Sequence, residues 1–330
     1  MPPIFIPNNR IIVTGLSFNQ RANPVDNAWV GVAYAPSLAL FAAVSNGGAG
    51  NRIMTSPNGI DWTIRVSAAD NDWRSITWSP EQGIFVVVGA SGAQRVMTST
   101  NGIAWTIRDA ADNNRTWRSV IWSPQLGMFC AVHSDIGTLS VMTSFNGIAW
   151  TTRNTPLGIT AVDVGWSQKL NMFISVNQSV GGQSLFSTDG ITWIAMTPPG
   201  GDPWSVIEWS PELGLWVMLS GAAGAGNETC HSSDGINWVV GNAGPATLTW
   251  SGLVWCDTLG IFIATAFNGT INNNTIYSSD GINWSAGTGA LANAWQGSCW
   301  SHDLGIAVVV SQSGTAGFRV ETSCAQFRFA

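Results

Sequence analysis

Lysine is almost missing from this chain: Lys169 is the only one, and charged residues make up 10% of its 330 residues, against about a quarter in an average soluble domain. With 13 basic and 19 acidic side chains the formal net charge is −6. Phosphate backbones require a concentration of Lys and Arg that the chain lacks, so a nucleic-acid partner is excluded. No apolar run reaches the roughly 18 residues of a membrane-crossing helix, and Met1 to Arg10 holds no basic segment leading into an apolar one. Neither membrane insertion nor a secretory signal is therefore expected. The five cysteines, Cys130, Cys230, Cys256, Cys299 and Cys324, are odd in number and form no C-x-x-C pair; they read as free thiols, mostly buried. His133, His231 and His302 are scattered along the chain, where a structural zinc would want grouped ligands. No nucleophile elbow, zinc-protease helix or phosphate-binding loop is present. Neither a metal nor a cofactor is expected.

What is abundant is glycine, at 37, and tryptophan, at 19. Eighteen of the tryptophans fall on three recurring positions. The first holds Trp29, Trp73, Trp117, Trp204, Trp250 and Trp295, with Ala161 in the fourth copy, at intervals of 43 to 46 residues. Five residues on come Tyr34, Trp78, Trp122, Trp166, Trp209, Trp255 and Trp300. The third holds Trp62, Trp105, Trp150, Trp193, Trp238 and Trp284, each closing an S-x-(N/D)-G-I-x-W pattern. These tryptophans read as blade packing rather than as sugar-stacking platforms. Trp216 alone lies outside the scheme and aligns with second-strand phenylalanines.

Each copy divides into four short segments rich in Val, Ile, Thr and Trp, joined by a tight turn such as the Ser-Pro-x-x-Gly of Ser79 to Gly83, a Gly/Ser/Asn loop and, in the first six copies, an Asn-Gly or Asp-Gly turn. Four antiparallel strands in every copy mark a propeller blade. The expected fold is all-β, a seven-bladed β-propeller of four-stranded antiparallel blades, forming a single domain over 1–330 with repeats starting near 29, 73, 117, 161, 204, 250 and 295. The seventh copy ends at Ala330, where its fourth strand should continue, with Phe329 at the tryptophan position. A closing strand at about 10–18 is therefore predicted to pair with the last blade and remove its open edge.

The turns at Ser187 to Trp193, Ser232 to Trp238 and Ser278 to Trp284 resemble a one-residue-shorter form of the Asp-box of sialidases and related propellers. That resemblance implies a structural hairpin on the blade rim. The fuller pattern, W-S-P-E-L-G-x-(F/W) at Trp209 to Trp216 followed by such a turn, is similar to repeats of bacteriophage and other viral particle proteins, in tails, baseplates or appendages. It implies a non-enzymatic component, in a virion or extracellular, whose partner is a neighbouring virion protein or a host-surface glycan, with room for homo-oligomerisation. A free-standing lectin and a glycan-processing hydrolase of the sialidase-like class are the alternatives.

Sialidase chemistry, as the resemblance implies it, needs three arginines, a tyrosine nucleophile with its glutamate, and an aspartate. The only tyrosines, Tyr34 and Tyr277, occupy repeat positions with structural explanations. Glycoside hydrolysis in general needs two carboxyl groups flanking one bond. Asp163, Glu208 and Asp257 fall in or next to innermost strands, each in a different copy with no evident partner, so no enzyme is expected.

Ligand contact is expected on the face carrying the loops between second and third strands, which differ among copies. The candidate binding residues are arginines of the first three copies: Arg65, Arg108 and Arg153 after the turn tryptophan, and Arg74 and Arg118 after the first repeat tryptophan. Two readings of them stand. They hold an anionic sugar or a partner's carboxylates through paired hydrogen bonds, or they pair locally with Asp70, Asp72, Asp109 and Asp112 of the crossovers.

Overall fold

A strand such as Ile84–Gly89, buried along its whole length, needs a covering sheet on each face, and in this chain the neighbouring copies supply it. The computed structural model describes residues 11–48, 50–137, 140–156, 160–178, 183–199, 203–221, 229–241, 248–271 and 273–329. It contains seven four-stranded antiparallel sheets. Their first strands are Trp29–Ala35, Trp73–Ser79, Trp117–Ser123, Ala161–Ser167, Trp204–Ser210, Trp250–Cys256 and Ala294–Ser301. Each first strand packs on the next and the seventh returns to the first, so the blades close a ring with these strands innermost.

The core lies between blades. Ala42, Val44 and Ile53 of blade one meet Trp73, Trp78 and Phe85 of blade two; Val308, Val310 and Val320 of blade seven meet Trp29, Phe41 and Met54 of blade one. Trp29, Trp73, Trp117, Trp204, Trp250 and Trp295 are fully buried. In blades one to four and six the second-position ring packs at a tilt against the second-strand phenylalanine of its own blade, as Trp166 does against Phe173 with centroids 4.4 Å apart. In blade five the partner is Trp216, 5.3 Å from Trp209, which accounts for the tryptophan outside the repeat.

Consecutive blades are also joined by polar bonds. The turn between first and second strands of one blade carries an acceptor for the second-position ring of the next: Trp122 donates to Glu81 Oε2 at 2.6 Å, Trp166 to Gln125 Oε1 at 2.8 Å, and Tyr34 to Asp303 Oδ2 at 3.0 Å. The hairpins between third and fourth strands are self-contained. Asn58 Oδ1 accepts the N–H groups of Ile60 and Asp61, both at 2.9 Å, and Trp62 donates to Gly59 O at 3.0 Å. Gly59 sits at φ +72°, a left-handed conformation in which glycine has no Cβ to clash.

The closing strand is present as Ile11–Arg21, paired antiparallel with Val320–Phe329 from Ile11 opposite Phe329 to Arg21 opposite Val320. It extends past the expected end at residue 18, and Arg10 lies outside the described residues. The segment aligned with the turn motif, Ser323 to Phe329, does not turn. With Ala325-Gln326 in place of an Asn-Gly or Asp-Gly pair, nothing favours the reversal, and the third strand runs on to Phe329 as the template for the closing strand. Leu16 and Phe18 are buried against blade six as well as blade seven, and Phe18 N–H donates to Thr288 O at 3.0 Å. All five cysteines are free thiols; Cys324 departs from the others in being exposed.

Candidate functional site

An innermost strand has one unpaired edge, and in a ring all these edges meet at the axis. In every inner strand the pairing skips one residue: the register jumps from Trp29 to Gly31, Trp73 to Ser75, Trp117 to Ser119, Ala161 to Asp163, Trp204 to Val206, Trp250 to Gly252 and Trp295 to Gly297. A bulge re-aims its extra side chain. The skipped residues, Val30, Arg74, Arg118, Val162, Ser205, Ser251 and Gln296, all line one axial cavity of about 640 Å³. Gln178 and Phe267, which begin loops between second and third strands, and Gln312, near the end of the second strand of blade seven, border the same cavity, so it opens on the variable-loop face. Several of those loops fall partly outside the described residues. A smaller chamber of about 440 Å³ lies toward the turn face among Trp166, Trp209, Pro211, Glu212 and Trp255. Glu208 borders both chambers.

Two carboxyl groups meet in the larger chamber. Asp163 belongs to the inner strand of blade four and Glu208 to that of blade five. Asp163 bridges its neighbours: Ser119 Oγ of blade three donates to Oδ1 at 2.7 Å, and Ile207 N–H of blade five donates to Oδ2 at 3.1 Å. Its surroundings nonetheless penalise charge more than these bonds favour it, and burial raises its pKa to about 6. Glu208 has less help. Burial dominates, only Trp209 N–H stabilises the anion, and the charge of Asp163 opposes it, so the pKa rises to about 8. At neutral pH, Glu208 therefore carries its proton while Asp163 is ionised. Two carboxyl groups with ionisations on either side of neutrality form an acid and base pair.

The predicted arginines divide between two places. Arg74 and Arg118 stand at adjacent bulges on the cavity wall. Arg65, Arg108 and Arg153 lie on outer strands, where each Nε donates to a third-strand threonine: Thr55 at 3.0 Å, Thr98 at 3.3 Å and Thr143 at 2.8 Å. The outer three are thus far along the blade from the axis. Local pairing occurs too: Arg74 Nη2 meets Asp72 Oδ2 at 2.6 Å, and Arg115 Nε meets Asp112 Oδ2 at 3.0 Å. Asp257 is taken up by scaffolding, accepting from Trp300 Nε1 at 2.7 Å and bonding His302 Nδ1 at 2.8 Å.

The repeat frame does not pair Asp163 with Glu208, because they stand two residues apart in it. The signal was there: each places a carboxylate in a column otherwise filled by small or apolar residues such as Gly31, Ser75 and Gly252, or Ala33, Thr77 and Val254. They do so in consecutive copies.

No family model and no curated protein matches this chain. Solved structures do. A streptogramin B lyase superposes with a TM-score of 0.77 over 94% of this chain and 98% of its own, at 8% identity. The virginiamycin B lyase of Staphylococcus aureus gives 0.76 over 95% and 99%, also at 8% identity. YCF48 bound to a D1 peptide gives 0.65 over 96% and 99%, at 12% identity. Likeness at these identities shows the fold alone. Two expectations are corrected by these findings. The virion, tail and host-attachment reading has no counterpart among these neighbours. The expectation of a non-enzymatic protein is corrected too: lyases are among the proteins that share this ring, so the fold gives no ground for it, and Asp163 and Glu208, expected to have no partner, line one cavity.

Proposed function

We propose that the chain is an acid–base enzyme that cleaves a polyhydroxylated, glycan-type substrate bound in the axial cavity. One observation carries the reading: Asp163 and Glu208 line a single chamber with ionisations placed below and above neutrality. Glu208 is the proton donor to the departing oxygen, and ionised Asp163, held by Ser119 and Ile207, is the base or charge-stabilising group on the other side of the bond. The wall suits such a substrate. It offers hydroxyl and amide groups from Ser75, Thr77, Ser205, Ser251, Gln296 and Gln312, which match sugar hydroxyls in kind.

The test is turnover of a panel of oligosaccharides by the parent protein, Glu208→Gln and Asp163→Asn. Turnover should follow a bell-shaped pH profile with limbs near 6 and 8 and be lost in both variants, each folded by thermal melting. Parent turnover no greater than that of the doubly substituted protein, or activity that survives either substitution, overturns the reading.

A further inference from the structure

Every arginine whose side chain is described donates to an acceptor, with one exception. Arg21, Arg65, Arg108 and Arg153 reach threonines, and Arg52, Arg95 and Arg319 reach backbone carbonyls. Arg74 and Arg115 pair with aspartates. Arg118 makes no hydrogen bond or ion pair among the described residues. It is not an idle surface side chain: it stands half-buried at a bulge on the cavity wall, next to Ser119, which holds Asp163. Arg74 occupies the same position in the adjacent blade, and its Nε is buried without a partner, as is Oδ1 of its neighbour Asp72. Burial and the nearby charge of Arg74 both work against the Arg118 cation, with only Asp72 in its favour.

We infer that Arg118, with Arg74 beside it, receives a single negative charge of the substrate, so that the substrate is an acidic sugar bearing a carboxylate or a sulfate ester. The inference rests on the proposed sugar-cleaving site for the word sugar; the anion position stands on the arginines. Of the charges that act on Arg118, Arg74 and Asp72 cancel each other, which leaves the Arg118 guanidinium as one uncompensated positive charge at this position of a chain whose net charge is −6. A monoanion neutralises it, whereas a phosphate monoester at about −1.5 to −2 exceeds it. A half-buried guanidinium offers two parallel donors to a planar carboxylate or to two sulfate oxygens. Because Arg118 lines the same cavity as Asp163 and Glu208, the anionic group would share the chamber with the acid and base pair and orient the reacting bond.

The experiment measures equilibrium binding to the Asp163→Asn, Glu208→Gln double variant, in which turnover does not interfere. The probes are oligogalacturonates of three or four units, their carboxyl-reduced counterparts of the same linkage, and a sulfated galacto-oligosaccharide. At least one charged probe should bind about tenfold or more tightly than the reduced one. Adding Arg118→Gln should abolish that preference, Arg118→Lys should keep part of it, and added salt should erode it. Preference for the carboxylated probe over the sulfated one, or the reverse, identifies the anion. Equal binding of charged and reduced probes, failure of every charged probe to bind, or a preference that survives Arg118→Gln overturns the inference. Parent turnover of neutral sugars without any anion preference sinks the arginine assignment and leaves the acid–base reading standing; anion-selective binding without turnover of any probe does the reverse.

Discussion

Replacing Glu321 with methionine should stabilise the ring above neutral pH and destabilise it slightly in acid. Glu321 sits in the third strand of blade seven, where blades one to three place Met54, Met97 and Met142, and like them it is fully buried. Its Oε1 accepts Leu291 N–H at 2.9 Å, while Oε2 is buried without a partner. Burial outweighs that one bond, and the pKa rises from 4.5 to about 7. Below pH 4.5 the carboxyl is protonated in folded and unfolded chains alike, and ionisation costs the fold nothing. Between 4.5 and 7 the unfolded chain releases its proton first, so stability falls by about 1.4 kcal/mol per pH unit. Above 7 the loss levels off at about 3 kcal/mol.

Methionine removes that loss together with the Leu291 bond, whose absence costs about 1 kcal/mol. The variant should therefore exceed the parent by about 2 kcal/mol at pH 8 and fall about 1 kcal/mol below it at pH 4.5, crossing between pH 5 and 6. Urea unfolding of both proteins in parallel at pH 4.5, 6 and 8 reads the difference. Asp163 and Glu208 titrate in the same range, but they are common to both proteins and cancel. A difference that stays constant across pH, or a variant weaker than the parent at pH 8, would refute the reasoning.

The inter-blade acceptor is missing in two places, and both are repairable. Ser37 and Lys169 occupy the turn position held elsewhere by Glu81, Gln125, Glu212 and Asp303, and the indole N–H groups opposite them, on Trp78 and Trp209, are buried without partners. Ser37→Glu and Lys169→Glu should each raise stability by about 1 kcal/mol, measured by thermal melting; no gain from either would mean that the turns cannot present an acceptor there. Ala39 holds φ +46° at a turn position where Gly83, Gly127 and Gly214 lie between +57° and +61°. Relief of the Cβ clash in Ala39→Gly should add about 1 kcal/mol, and a melting temperature that drops instead would show the conformation to be unstrained.

The scaffold was legible because packing forces repetition. A large ring packed between two blades tends to recur where two blades meet, so Trp73 and its counterparts, six of seven, announce the period, and the unmatched end of the seventh copy announces the closing strand. What was not legible was distance across the ring. Ser119, Asp163 and Ile207 belong to three successive copies and share one hydrogen-bonded chain, yet they lie 44 residues apart at each step. The bulge was equally hidden: no residue type marks it, since the skipped position holds Val, Arg, Ser or Gln, and only the pairing register shows that Arg74 and Arg118 leave the sheet for the cavity. Arg65, Arg108 and Arg153 looked equivalent to them by recurrence, but recurrence in three adjacent blades came from a repeated bond to threonine.

Departures from the repeat need sorting by what they face. Glu321 breaks its column inside a closed core, with no space for a substrate; Glu208 breaks its column, otherwise Ala33, Thr77, Ile121, Gly165, Val254 and Cys299, facing two chambers. If the second departure serves chemistry, restoring the column should help the fold and harm the reaction, a trade expected where an active site is built against stability. Glu208→Thr should therefore melt at a higher temperature than the parent at pH 8. The gain should shrink as pH falls toward 4.5, because the carboxyl whose pKa is raised to about 8 then carries its proton in both states. Turnover should vanish in the same variant, while Glu321→Met, also stabilised at pH 8, should keep the parent rate. Stabilisation of both variants with activity lost only in Glu208→Thr separates the site from the scaffold; equal activity in the two would place Glu208 in the scaffold with Glu321.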